Sequence, residues 1–96
     1  MSKKFKIFET DEFLKRIDKL QSHDSLFIRN KLRDYVYPQI MKEPFLERNI
    51  KKLKDYDPPT WRYRIGKFRI FYLIDSEEKV IYILTIDLRK DIYKKQ

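Results

Sequence analysis

From Trp61 to Tyr72 apolar and charged residues alternate on either side of Gly66-Lys67, the pattern of two strands joined by a two-residue turn. Upstream, Phe5, Ile7 and Phe8 lie in a β-like run from Lys3 to Glu9, which predicts a first strand. Thr10 offers a helix N-cap, and Asp11 and Glu12 follow in the first turn, where acids favour the helix dipole. Phe13, Leu14, Ile17 and Leu20 recur at helical spacing and predict a short amphipathic helix ending near Leu20. Asp24 or Ser25 would cap a second helix whose apolar side carries Leu26, Ile28, Leu32, Tyr35 and Val36, with Pro38 ending or kinking it. Residues 39–59 read as loop, with a short extended piece around Lys51–Lys54. A last strand is predicted over Lys79–Asp87 after the polar turn Ser76-Glu77-Glu78. Its continuous apolar run Val80–Leu84 suits a strand inside its sheet.

One strand, two helices and three consecutive antiparallel strands predict an α+β fold in which the helices cover one face of a mainly antiparallel sheet. No internal repeat or boundary divides residues 1–96, so one domain is expected. In the hairpin register Ile65 faces Phe68 and Arg64 faces Arg69. Counting by twos sends Trp61, Tyr63, Ile65, Phe68, Ile70, Tyr72 and Ile74 toward the helices. Arg62, Arg64, Arg69, Phe71 and Leu73 take the opposite face. Like charges directly opposite one another destabilise a sheet, so three guanidiniums on one face point to an anion that meets them.

Charge distribution sharpens this picture. The net charge is +8, and residues 48–69 alone hold eight basic side chains against Asp55 and Asp57. Lys52, Lys54 and Lys67 belong to that cluster and are candidate backbone-phosphate contacts. A clustered basic surface is the footprint of a polyanion binder; the alternatives are a solvated basic face or a docking site for an acidic protein. The chain has no cysteine, and hence no disulfide or thiolate metal site. It has no apolar run of about 18 residues to cross a membrane. Its basic start, Met1 to Ile7, lacks the apolar stretch of a signal peptide, so a cytoplasmic location is expected.

Arginine binds phosphate bidentately and keeps its charge. Arg62, Arg64 and Arg69, with Arg89 just past the last strand, could surround one or two phosphates. Phe71, Tyr93 and Tyr56 are candidate stacking partners for bases, although core packing also accounts for Tyr56 and Phe71. The single histidine, His23, sits between the helices. No glycine-rich phosphate loop, nucleophile–histidine pair or metal-ligand spacing is present. Any phosphoryl chemistry would run on arginines, lysines and a tyrosine, with no cofactor and no metal.

The segments Leu53-Lys54, Trp61-Arg62-Tyr63-Arg64-Ile65, Phe68-Arg69-Ile70-Phe71-Tyr72 and Leu88-Arg89-Lys90-Asp91-Ile92-Tyr93 resemble the RelE branch of the RelE/ParE toxin superfamily, especially its archaeal members. The resemblance spans nearly the whole chain in element order. It implies a fold like that of small microbial ribonucleases, and a toxin that enters the ribosomal A site and cuts messenger RNA. It also implies a RelB-like antitoxin that wraps the toxin in a hetero-oligomer. The implied reaction is attack of the substrate's 2′-hydroxyl on the adjacent phosphate, leaving a 2′,3′-cyclic phosphate. Arg69 and Arg89 would stabilise charge on phosphorus, Arg62 and Arg64 would orient the backbone, and Tyr93 would stack on a base or move a proton. Members with a histidine or lysine before the tail arginine differ from this chain, which has Leu88. Arginine also stands at both first-strand positions where the best-known bacterial toxin has lysine. Two other readings share the fold: a ParE-like toxin that inhibits DNA gyrase without cutting nucleic acid, and a catalytically weak relative that binds antitoxin.

Overall fold

The computed structural model describes residues 4–45 and 47–88. They form β1 (Lys6–Glu9), α1 (Asp11–Asp18), α2 (Ser22–Lys31), a π-helical turn (Leu32–Val36), α3 (Tyr37–Lys42), β2 (Ile50–Lys52), β3 (Trp61–Ile65), β4 (Phe68–Asp75) and β5 (Val80–Leu88). The five strands make one sheet in the order β1-β5-β4-β3-β2. Only the β1–β5 pair is parallel, so the fold is α+β with a mainly antiparallel sheet, as the element order predicts. β5 lies inside the sheet between β1 and β4, in keeping with its unbroken apolar run.

The helices cover one face. Phe13, Ile17, Ile28, Leu32, Val36 and Ile40 from the helical segments join Tyr63, Ile65, Phe68, Ile70, Tyr72, Ile81, Ile83 and Ile86 from the strands in one buried cluster. Each fully buried aliphatic or aromatic side chain contributes about 1.5–3 kcal/mol relative to its exposed state. That apolar cluster fixes the sheet's orientation and leaves Arg62, Arg64 and Arg69 on the other face with Phe71 and Leu73.

Two local features differ from the sequence expectation. The second helix begins at Ser22, with Gln21 at its N-cap and no side-chain cap bond, so neither Asp24 nor Ser25 caps it. Nor does Pro38 end the helix. Proline has no N–H to give the carbonyl four residues back. Here the helix widens just before it, with the Tyr37 N–H reaching Leu32 O five residues earlier. The helix then continues to Lys42 and buries Ile40 completely. Residues 39–42, expected as loop, are therefore helical. A π-turn lets an apolar face survive a proline that would otherwise break it.

Thr10 joins the layers. Its side chain accepts from Phe13 N at 3.3 Å and caps α1. Its hydroxyl also lies 2.8 and 3.0 Å from the carbonyls of Ile83 and Leu84, donating between them. Those carbonyls flank an irregularity in β5: Tyr72 pairs with Ile83 and Phe71 with Thr85, so Leu84 is an extra residue in the ladder. Replacing Thr10 with alanine is expected to cost about 1–2 kcal/mol, read from the urea unfolding midpoint, because the helix cap and the tie to the bulge disappear together.

Three tyrosines, Tyr63 and Tyr72 buried and Tyr37 half-buried, tie the helical layer and the loop after it to the sheet. Tyr37 donates to Glu9 Oε2 at 2.6 Å, Tyr63 to Gln39 Oε1 at 2.6 Å, and Tyr72 to the Pro44 carbonyl at 2.9 Å. Burial pushes the phenol pKa of Tyr37 and Tyr72 well above the usual tyrosine range. The Glu9 carboxylate raises that of Tyr37 further.

Candidate nucleic-acid interface

The hairpin turn at Gly66-Lys67 forms because Gly66 takes a left-handed φ of 58° at the first turn position, a conformation that costs glycine nothing. That turn sets the register: Arg64 stands opposite Arg69 and Ile65 opposite Phe68. Side chains directly opposite each other share a face. Two rows of side chains therefore cross the sheet away from the helices. One runs Lys51, Arg62, Phe71, Thr85, and the other Arg64, Arg69, Asp87.

Arg69 lies at the middle of this face. Arg64 and Asp87 are its direct neighbours, and Arg62 and Thr85 are diagonal to it. Among the described residues no carboxylate lies within 4.0 Å of the Arg64 or Arg69 guanidinium. Asp87, the nearest acid by register, is instead held by Arg16 of α1 at 2.9 Å. Arg64 is exposed, Arg69 half-buried and Arg62 only 9% exposed. Arg62 is anchored in the sheet, whereas Arg64 presents its charge to solvent. The grouping expected for Arg62, Arg64, Arg69 and Phe71 is the one the strand register builds.

The lysines divide. Lys52 pairs with Trp61 and sets its ammonium 5.8 Å from the indole centroid, on the face opposite the arginines. Lys51, one residue earlier, pairs with Arg62 and takes the place that Lys52 was expected to fill. Lys67 leans from the hairpin tip toward α2, 3.5 Å from Asp24. Lys54 is exposed in the turn after β2. Arg89 and Tyr93 lie outside the described residues.

Sequence reasoning passed over Lys51, Thr85 and Asp87. Lys51 is found by pairing β2 with β3 in register. Thr85 and Asp87 reach this face only because Leu84 is bulged, and nothing in the residue pattern of β5 announces that. Beside the hairpin a groove of about 1040 Å³ runs between the helical layer and β3. Phe27, Lys31, Tyr35, Lys42 and Arg64 are among the residues that line it. The half-exposed Phe27 and Tyr35 rings lie 5.9 and 4.7 Å from the Lys31 ammonium. The described residues include no group of three His, Cys, Asp or Glu side chains placed to hold a metal ion. Among them no helix is long and apolar enough to cross a membrane.

A helix-covered, mainly antiparallel sheet with arginines on its opposite face defines a small basic α+β protein. The sequence profile described as "ParE toxin of type II toxin-antitoxin system, parDE" matches residues 8–93. The chain belongs to that toxin family, within the RelE/ParE superfamily. A curated relative from Methanocaldococcus jannaschii, named "Putative toxin RelE1", is 42% identical over 55 residues, which span 57% of this chain and 57% of that protein. Among solved structures, the toxin–antitoxin complex RelBE2 of Mycobacterium tuberculosis superposes with a TM-score of 0.71 at 23% identity, covering 90% of this chain and 99% of the matched one. The RelE–RelB complex of Pyrococcus horikoshii gives 0.68 at 19% identity, over 90% and 96%. At these identities the likeness is one of fold.

Proposed function

We propose that the chain is the toxin of a type II toxin–antitoxin pair and acts as a metal-independent, ribosome-dependent endoribonuclease on messenger RNA. The observation that carries this reading is the direct opposition of Arg64 and Arg69, two guanidiniums with no carboxylate partner among the described residues. A phosphodiester supplies the negative charge their juxtaposition lacks.

In this reading the 2′-hydroxyl of the message attacks the adjacent phosphorus, the 5′-oxygen of the next nucleotide leaves, and a 2′,3′-cyclic phosphate remains. Arg69 and Arg89 stabilise the charge developing on the phosphoryl oxygens. Arg64, Arg62 and Lys51 hold the backbone, with Lys54 reaching more distant phosphates. Phe71 and Tyr93 offer surfaces for a base. A guanidinium is a poor general base, so the rate rests on electrostatic stabilisation and on the ribosome holding the message in a reactive geometry.

The partner in this reading is an extended acidic or amphipathic antitoxin segment of the RelB type, acting in the cytoplasm. Its support is the groove beside the hairpin, where Phe27 and Tyr35 offer apolar rings and Lys31, Lys42 and Arg64 offer positive charge alongside Asp34 and Glu43. Purified protein added to a translating extract is expected to produce cuts at A-site codons by primer extension, and to leave the same message intact without ribosomes. Uncut message in the presence of ribosomes and folded protein would sink the nuclease reading.

The family description, which names ParE, favours a second reading, a toxin that inhibits DNA gyrase by protein contact. Toxicity that survives an Arg69→Ala/Arg89→Ala double variant would select it.

A further inference from the structure

Two polar atoms on the arginine face are buried without a hydrogen-bond partner: Nε of Arg69 and Oγ1 of Thr85. They belong to diagonal neighbours, since Arg69 pairs with Asp87 and Phe71 with Thr85. Buried polar groups in native proteins are nearly always satisfied, and leaving one unmet is costly. Two such atoms on diagonal neighbours of one face, both able to donate, suit an acceptor that reaches both, and an anionic oxygen is the strongest one available. Asp87, the acid nearest by register, is already engaged by Arg16.

We propose that Thr85 Oγ–H and Arg69 Nε–H together receive one non-bridging oxygen of the bound phosphodiester, making Thr85 a substrate-contacting residue. The inference rests on reading this face as the phosphodiester site. Both atoms are shielded from solvent in the free chain. Entry of the oxygen therefore requires local side-chain movement on this face. The free protein carries the cost of two unmet groups, and binding removes it.

The test uses inorganic phosphate as probe and the ¹H–¹⁵N resonance of the Arg69 Nε–H group as readout, assigned by its loss in Arg69→Lys. In the native chain phosphate is expected to shift that resonance saturably. Thr85→Val should weaken phosphate binding about tenfold, the loss of one charge-assisted hydrogen bond, while Thr85→Ser stays within about twofold. In phosphate-free buffer Thr85→Val should melt at a higher temperature than the native chain, because valine has the same shape and no hydroxyl to satisfy. A resonance unmoved by phosphate, native affinity in Thr85→Val, or a lower melting temperature for that variant would each overturn the proposal. Message cutting in a translating extract is scored separately. Phosphate bound at this seat without cutting rejects the nuclease reading alone, and cutting with a flat titration rejects the seat alone.

Discussion

If the chain is the proposed nuclease, replacing Arg69 with alanine is expected to slow ribosome-dependent cutting of message about 100- to 1000-fold while leaving the protein folded, since one preorganised donor to a developing oxyanion contributes about 3–4 kcal/mol. Arg69 is singled out by its position. It stands at the centre of the basic face, with Arg64 on one side and Asp87 on the other. Its Nε makes no hydrogen bond that the fold depends on. Removing the side chain deletes the charge that the proposed reaction uses and takes away an unsatisfied buried donor, so the urea midpoint should hold or rise. Arg69→Lys should rescue little, because an ammonium lacks the planar fork that grips two phosphoryl oxygens. Single-turnover primer extension on ribosome-bound message separates the native chain from both variants. Native cutting rates in Arg69→Ala would remove this residue from the chemistry.

The second large effect concerns stability at alkaline pH. Tyr72 is buried, Tyr37 half-buried, and both are hydrogen-bonded; burial raises both phenol pKa values in the folded state. In the unfolded chain they ionise near pH 10. Below about pH 10 both states hold these protons, and their contribution to stability is complete. Above it the unfolded chain releases two protons that the folded chain retains, so stability falls as pH rises. The slope is about 2.7 kcal/mol per pH unit, or about 4 kcal/mol lost by pH 11.5. That loss approaches the whole stability of many small domains. Urea midpoints followed by far-ultraviolet circular dichroism should drop steeply over this interval, and phenolate absorbance should rise with unfolding rather than before it. A Tyr37→Phe/Tyr72→Phe double variant, weaker at neutral pH, should show a flatter profile. A native profile flat above pH 10 would mean that these phenols ionise in place.

The basic hairpin was legible because the information is local. Alternation from Trp61 to Tyr72, interrupted only by Gly66-Lys67, fixes a two-residue turn, and the turn fixes which side chains oppose one another. A one-residue slip would drive Arg64 and Arg69 into the core, so hydrophobic burial alone enforces the register. Thr10 was legible as a helix cap for the same reason, although its bonds to Ile83 and Leu84 were not. Those join residues more than seventy positions apart.

The parts that escaped depend on distant neighbours. Pro38 signals a helix end by local rules, yet the Ile40 side chain is fully buried in the core, and that burial keeps the chain helical past the proline through a π-turn. Lys52 joins the lysine run in sequence, but β2 is only three residues long and its facing is decided by pairing with β3. Lys67 is basic and adjacent to the arginines, while Asp24 of α2 draws it to the other side.

By itself the sequence determined the layer order, the helix-facing residues of the hairpin and a row of arginines turned away from them, because periodicity and turn chemistry act over a few residues. Only the tertiary structure decided what stands beside those arginines. Counting by twos along β5 from Val80 would group Leu84 and Ile86 with them and send Thr85 and Asp87 to the core. The extra residue at Leu84 reverses that parity for the second half of the strand. Thr10, reaching across from the start of α1, holds the carbonyls where the reversal occurs. A bulge is a property of two strands and their neighbours, so no single stretch of sequence could specify that face.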